Sequence, residues 1–187
     1  MRNVRIIARL DIKAPNLVKG IQFEGLRKIG DPSEFALKYY LQGADEIFCA
    51  DIVASLYERN SLLDVINSTT NNVFVPITVG GGIRSIKDVT SALNAGADKV
   101  SINTAAIKKP DLITEVAEKF GSQCLVLSIQ AKSKNGSWEA YYDNGRESSG
   151  IDVIEWAKKG QDLGAGEIIL TSVDKEGTAK GMDIELI

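Results

Sequence analysis

Gly43-Ala44-Asp45-Glu46-Ile47, Gly96-Ala97-Asp98-Lys99-Val100 and Gly164-Ala165-Gly166-Glu167-Ile168 decide how this chain is read. Each begins with a glycine suited to the left-handed backbone that closes a helix. Each then runs within a few residues into apolar sequence suited to a strand. One helix-to-strand joint is thus used three times, and the first and third copies lie 121 residues apart. That spacing suggests two similar halves of four βα units each. Strands are expected over 5–11, 46–52, 73–79, 99–103, 124–130 and 167–173. They are mostly apolar throughout, as in parallel strands buried on both faces. Helical patterns lie between them. Asp31-Pro32-Ser33-Glu34 is a start signal with cap, proline and glutamate in their usual places. Further helices are expected over 61–70, over 85–94 capped by Ser85, after Lys109-Pro110-Asp111, and over 150–163. Residues 183–187 read as the opening of one more. The order βαβαβαβαβαβ predicts an α/β protein with a parallel sheet.

Two segments break the alternation. Residues 13–30 read as a long loop containing Lys19 and three glycines, and loops of that length are usually functional. Residues 131–150 carry Trp138-Glu139-Ala140-Tyr141-Tyr142 and then Asp143-Asn144-Gly145, which read as a small β-hairpin.

Composition narrows the chemistry. The chain has 187 residues, is 44% hydrophobic and 25% charged, and carries a net charge of −3. This fits one soluble domain, and there is no excess of cations to meet a nucleic-acid backbone. There is no histidine, so His-based triads, His metal ligands and a His switch are excluded, and proton transfer falls to carboxylates, lysines, tyrosines or cysteines. Cys49 and Cys124 sit apart in apolar runs and read as core residues, with neither zinc nor disulfide spacing. A reduced compartment follows by default. Met1-Arg2-Asn3-Val4-Arg5 runs straight into a strand rather than a signal peptide, and no apolar run reaches 18 residues. A cytoplasmic protein with no membrane span, metal or cofactor is expected.

Ligands of parallel α/β folds sit at the C-terminal ends of the strands. Those ends are Asp11, Asp51, Gly80-Gly81-Gly82, Asn103-Thr104, Gln130 and the segment 172–177. Gly80–Gly82 stands before a helix, so bare N–H groups there can take phosphate, with Asn103 and Thr104 as a second such joint. Asp11 can serve as general acid or base; the alternative is a solvated loop aspartate. Gln130 holds the matching place on its strand but cannot transfer a proton. Asp174 and Glu176 read as solvated carboxylates unless their loop folds inward. At the strand starts, Arg5, Glu46, Lys99 and Glu167 supply two charges of each sign at one level. They suggest a salt-bridged ring; the plainer alternative is a polar strand entrance.

Taken together, these motifs resemble the cyclase subunit of imidazole glycerol phosphate synthase, a (β/α)8 TIM barrel of histidine biosynthesis. The likeness rests on 5–11 with Val18-Lys19-Gly20, Asp31-Pro32, Gly43–Glu46, Thr78–Ser85, Gly96–Asn103, Phe120–Cys124 and Gly164–Glu167 with Leu170-Thr171-Ser172. It implies a lyase that uses ammonia from a separate glutaminase subunit. The ammonia passes a gate of Arg5, Glu46, Lys99 and Glu167 and attacks a bisphosphate, the phosphoribulosyl-formimino aminoimidazole carboxamide ribotide. The products are imidazole glycerol phosphate and an aminoimidazole carboxamide ribotide. The resemblance further implies Asp11 as the catalytic acid–base and Lys19 on the substrate loop. Gly82, Asn103 and Thr104 match one phosphate site, and Glu176 and Gly177 part of another. Asp98 and Gln123 fall on the glutaminase-facing side.

Three departures qualify this. The family's second catalytic aspartate is Gln130 here, its strand-one cysteine is Arg9, and its loop aspartate is Glu176. An intact gate below an altered top face is also what an ammonia-channelling subunit for amidation of a surface-polysaccharide sugar would keep. Arg9-Leu10-Asp11 and Ala54-Ser55-Leu56-Tyr57 resemble that branch. Measured against a full barrel of ~250 residues, residues 1–187 are expected to form a single domain of about six βα units, without strands seven and eight. Its open edges predict poor stability or self-association.

Overall fold

The computed structural model describes residues 4–54 and 62–187. All three joints have the conformation their glycines predict. Gly43, Gly96 and Gly164 have φ of 91°, 106° and 109°, and their hydrogen bonds repeat. The glycine N–H donates to the carbonyl three residues back (Tyr40, Leu93, Gln161), and the following alanine N–H to the carbonyl five back (Tyr39, Ala92, Gly160). The third residue then joins the neighbouring strand, with Asp45, Asp98 and Gly166 donating to the carbonyls of Ile6, Ile77 and Leu125. Asp45 and Asp98 also return the bond, their carboxylates accepting from the N–H of Ile6 at 2.7 Å and of Ile77 at 2.8 Å. At Gly166 a Cβ would collide with the Ser122 carbonyl, which is why the third copy has glycine where the others have aspartate.

The elements in chain order are β1 (Ile7–Lys13), β2 (Asn16–Ile21), β3 (Glu24–Gly30), α1 (Pro32–Leu41), β4 (Glu46–Asp51), α2 (Leu63–Thr70), β5 (Ile77–Gly80), α3 (Ile86–Asn94), β6 (Lys99–Ile102), α4 (Thr104–Lys108), α5 (Asp111–Phe120), a 3-10 turn (Ser122–Cys124), β7 (Leu125–Lys134), β8 (Ser137–Tyr142), β9 (Glu147–Asp152), α6 (Val153–Asp162) and β10 (Glu167–Ser172). They group into two compact units. One comprises Met1–Val18 and Lys28–Val100, the other Lys19–Arg27 and Ser101–Ile187.

In the first unit β1, β4 and β5 run parallel. Ile7, Arg9 and Asp11 stand opposite Glu46, Phe48 and Ala50, and Phe48 and Ala50 opposite Thr78 and Gly80. Side chains alternate along a strand, so these residues share one face. Leu10, Ile12, Ile47, Cys49, Ile77 and Val79 share the other, where all are buried. Helices supply Ala36, Ile66, Val89 and Ala92 to this core. Asp31 caps α1 through the N–H groups of Ser33 and Glu34. The Ser33 hydroxyl, first among its partners, holds the Asp31 carboxyl below its usual range. Ser85 caps α3 as its sequence predicts.

In the second unit β10 runs parallel to β7, and β8 and β9 continue from β7 as antiparallel strands. The core is Leu125, Leu127, Ile129, Leu112, Ile113, Val116 and Trp156. Gly160 stands inside α6 because the Leu127 side chain occupies the place of its Cβ. Ile168 and Leu170 on β10 stay partly exposed, and Met182, Ile184 and Ile187 are exposed. Among the described residues no helix is long and apolar enough to cross a membrane.

Four sequence expectations are corrected. The long loop over 13–30 is β2 and β3, joined by Gln22 and Phe23, both with positive φ (52° and 63°). Such a turn normally carries asparagine or glycine, so the sequence gives no sign of it. The strand expected from 73 begins at Ile77, because Pro76 has no N–H for a ladder. The helix expected from 150 begins at Val153, because residues 147–152 form β9 and Asp152 caps the helix with its carboxylate. Residues 183–187 form a turn closed by the Leu186 N–H on the Asp183 carbonyl, not a helix. The helix start at Ser61 and positions 55–57 of the Ala54–Tyr57 motif lie outside the described residues.

The β8–β9 hairpin is pinned by Glu139. Its buried carboxylate accepts from the Lys134 ammonium, the Ser148 hydroxyl and the Gly150 N–H. These partners, Lys134 foremost, hold its carboxyl down at about 2. The folded value lies below the ordinary 4.5, so this stabilisation is complete above about pH 4.5 and is lost as pH falls toward 2. Glu139→Gln is therefore expected to lower the thermal midpoint at pH 7, with the gap from the parent closing between pH 4.5 and 2. A gap that is constant with pH in calorimetry would contradict this account.

Candidate active site

At the strand starts of the first unit a carboxylate is surrounded by donors. Glu46 is 2% exposed and accepts from Lys99 Nζ at 2.9 Å, from Arg5 at 3.2 Å and from the Thr78 hydroxyl. Burying a carboxylate is costly unless it is paired and hydrogen-bonded. Here two cations and a hydroxyl from three other strand segments converge on it. Lys99 is 13% exposed and Arg5 is 53% exposed, so Lys99 is the enclosed partner and Arg5 the solvent-facing one. Glu167 opens β10 and belongs to the second unit. Thr78 falls within the Thr78–Ser85 likeness, which assigns it no role of its own. Its signal is its register opposite Phe48 on the Glu46 face.

Asp11 lies two residues before the end of β1 and is 4% exposed. Arg9, two residues earlier and so on the same face, donates from Nε to Oδ1 of Asp11 at 2.7 Å. The Arg9 guanidinium also stands 5.6 Å from the Phe48 ring centroid. Arg9 thus points to the same face as Asp11 and is tied to it. The face rises in layers: Glu46 with its cations, then Arg9, Phe48 and Thr78, then Asp11, Ala50 and Gly80.

Beyond β5, Gly81 and Gly82 take φ of 93° and 74°. A Cβ at Gly81 would strike the Asp51 carbonyl, so the triple glycine answers a close backbone approach. The N–H groups behind it are partly committed, with the Asp88 carboxylate accepting from Arg84 and the Ser85 hydroxyl accepting from Asp88. Asp98, assigned by resemblance to a partner-facing role, spends one carboxylate oxygen on the Ile77 N–H.

In the second unit, Asn103 donates both amide hydrogens to backbone, to the carbonyls of Ser128 at 3.0 Å and Tyr141 at 3.1 Å. The Thr104 hydroxyl accepts from the Asp143 N–H at 3.1 Å. Both side chains brace the hairpin. Gln130 does similar work, its Oε1 accepting from the Gly145 N–H at 2.7 Å. Gln123 is exposed and donates to the Phe120 carbonyl. Glu176 folds inward, contrary to the solvated reading. Its side chain is 7% exposed and pairs with Lys19, and Gly177 backs onto the Gly20 carbonyl. Cys49 is a buried core residue, and burial pushes its thiol up to about 12, away from the thiolate form.

These parallel strands, glycine turns and repeated joints define an α/β protein with its polar groups at the strand ends. Comparison with known proteins makes this particular. Residues 5–187 match the family model described as histidine biosynthesis protein, and the chain belongs to that family. Imidazole glycerol phosphate synthase subunit HisF of Legionella pneumophila is 61% identical over 188 aligned positions, covering 100% of this chain and 89% of that protein. The protein of the same name from Dehalococcoides mccartyi is 50% identical over 186 positions, covering 100% of this chain and 74% of its own length.

Removing the Glu46 carboxylate would leave the Lys99 ammonium enclosed without it. Glu46→Ala is expected to cost roughly 3–5 kcal/mol, and Thr78→Val about 1 kcal/mol. Urea unfolding checks both, and equal, small losses would show that the cluster is not a buried pair.

Proposed function

We propose that this chain is the cyclase subunit of an imidazole glycerol phosphate synthase, a lyase of histidine biosynthesis. The observation that carries the reading is family membership over residues 5–187 together with identities of 61% and 50%, across this chain and 89% and 74% of the relatives' own lengths, to proteins of that name. The substrate is the phosphoribulosyl-formimino aminoimidazole carboxamide ribotide, and the second reactant is ammonia released by a glutaminase partner. Asp98 and Gln123 are assigned to the side facing that partner. Ammonia enters past Arg5, Glu46 and Lys99, whose closed ion cluster must part to admit it; Glu167 joins the gate on resemblance alone. Gly82, Asn103 and Thr104 hold one phosphate of the substrate. Lys19, Glu176 and Gly177 attend the other.

Asp11 is the proton-transferring group. Its carboxylate, oriented by the Arg9 guanidinium, takes a proton from the attacking nitrogen and returns it during ring closure. Gln130 can only orient, since an amide neither gives nor takes a proton at neutral pH. The chemistry therefore rests on one carboxylate. Supply of ammonia to a sugar amidotransferase is the less favoured reading, because the relatives carry the name of an imidazole glycerol phosphate synthase subunit.

The test is turnover of the bisphosphate with ammonium salts in place of the glutaminase. Asp11→Asn is expected to lower kcat by roughly 10²–10⁴-fold, and Gln130→Asp to raise it. Turnover that is absent in the parent and in Gln130→Asp would overturn the reading, as would turnover indifferent to Asp11→Asn.

A further inference from the structure

The sequence holds two Asn-Gly pairs, Asn135-Gly136 and Asn144-Gly145, and the fold uses them at the two ends of β8. Both turn a hairpin with left-handed backbone. Asn135 and Gly136 have φ of 52° and 81°, Asn144 and Gly145 φ of 60° and 74°. Asparagine and glycine are the residues that tolerate this conformation. The pair also carries a chemical liability. Asparagine is among the thermally labile side chains, and a following glycine has no Cβ to shield its backbone nitrogen.

The surroundings of the two pairs differ. Residues 133–137 are all exposed, and a Cβ at Gly136 would meet nothing within 4 Å. Gly145 is buried, and a Cβ there would stand 3.3 Å from the side chains of Phe23 and Val173. Its N–H is committed as well, donating to Oε1 of Gln130 at 2.7 Å. The Asp143 N–H in the same turn donates to the Thr104 hydroxyl at 3.1 Å. The first turn opens to solvent at little cost, whereas opening the second breaks both bonds and uncovers a packed glycine.

We propose that Asn135 is a site of spontaneous deamidation and that Gln130 protects Asn144 from the same reaction. The Gly136 backbone nitrogen attacks Cγ of Asn135 when the turn opens. A C–N bond forms, the bond from Cγ to the side-chain nitrogen breaks, and that nitrogen leaves as ammonia with the proton of the Gly136 N–H. Water then opens the five-membered succinimide at either carbonyl. One opening gives aspartate; the other gives isoaspartate, with the chain routed through Cβ. The sum is asparagine plus water to an acidic residue plus ammonia, with no oxidant or reductant. The new carboxylate arises beside Lys134, the cation that Glu139 uses to pin the hairpin. Deamidation thus offers Lys134 a second partner and loosens that pin. At Gly145 the corresponding nitrogen is held by Gln130 and the turn stays shut.

None of this depends on the reaction the chain catalyses. The full chain is kept folded in warm, mildly alkaline buffer and sampled by peptide mapping. Each asparagine is followed by its gain of about one mass unit, and isoaspartate by enzymatic methylation. Asn135 is expected to convert roughly tenfold faster than Asn144, the factor that one intramolecular hydrogen bond contributes to a barrier. Gln130→Glu, which keeps an oxygen for the Gly145 N–H, is expected to leave Asn144 as slow as in the parent. Gln130→Ala is expected to speed Asn144 about tenfold and to leave Asn135 unchanged. Hydrogen exchange reads the same protection without a variant, with the Gly145 amide of the parent expected to exchange more slowly than that of Gly136. Equal rates at the two asparagines of the folded parent would overturn the proposal. So would an Asn135 that stays intact while a peptide of residues 132–139 is fully converted. Unprotected exchange at Gly145, or an Asn144 that stays slow in folded Gln130→Ala, would overturn the part assigned to Gln130.

Discussion

A parallel strand must be brought back to the same edge of its sheet after every helix, and the chain has only a few residues in which to turn. After α1, α3 and α6 the turn is made by one backbone solution. A left-handed glycine reverses the helix, two N–H groups close its last carbonyls, and the next residue docks on the neighbouring strand. Because the joint both ends the helix and sets the strand's register, the level of every side chain that follows is determined by it. Glu46 and Lys99 each stand immediately after such a joint, and that is why they meet although 53 residues separate them.

Register then distributes chemistry by height. On the face of β1, β4 and β5 that carries the polar groups, charge sits at the two ends and Phe48 lies between. Arg9 breaks that division by bringing a permanent cation up to the carboxylate at the top. The second unit uses its polar side chains differently. Asn103, Thr104 and Gln130 are turned toward the β8–β9 hairpin and its turn, so the strand ends there are braced rather than open.

Most of the architecture was legible because the glycine joints and apolar runs leave one physical interpretation. The Asp143-Asn144-Gly145 hairpin was legible too, since all three residues tolerate the positive φ they adopt. The β2–β3 turn was not. Gln22 and Phe23 take a conformation their side chains disfavour, and what holds them is a glutamate more than 150 residues away. Arg5, Glu46 and Lys99 are readable as charges at one level of the strand starts, whereas Thr78 needs strand pairing to be seen. Arg9 was recognised as a departure, but its bond to Asp11 follows only once both are placed on one strand face. The burial of Glu176 is not legible, because loop residues show no period from which it can be read.

Asn103 has a consequence for how variants of this chain are interpreted. Its amide is a bolt between the carbonyl of Ser128 on β7 and that of Tyr141 on β8. A change there moves the hairpin before it alters any ligand contact. Loss of affinity at this position is then a statement about where a strand sits, and its kinetic signature is shared with positions such as Gln130 that brace the same element. Substitutions at the two sites belong to one mechanical unit, and their effects combine as those of neighbours rather than as independent terms.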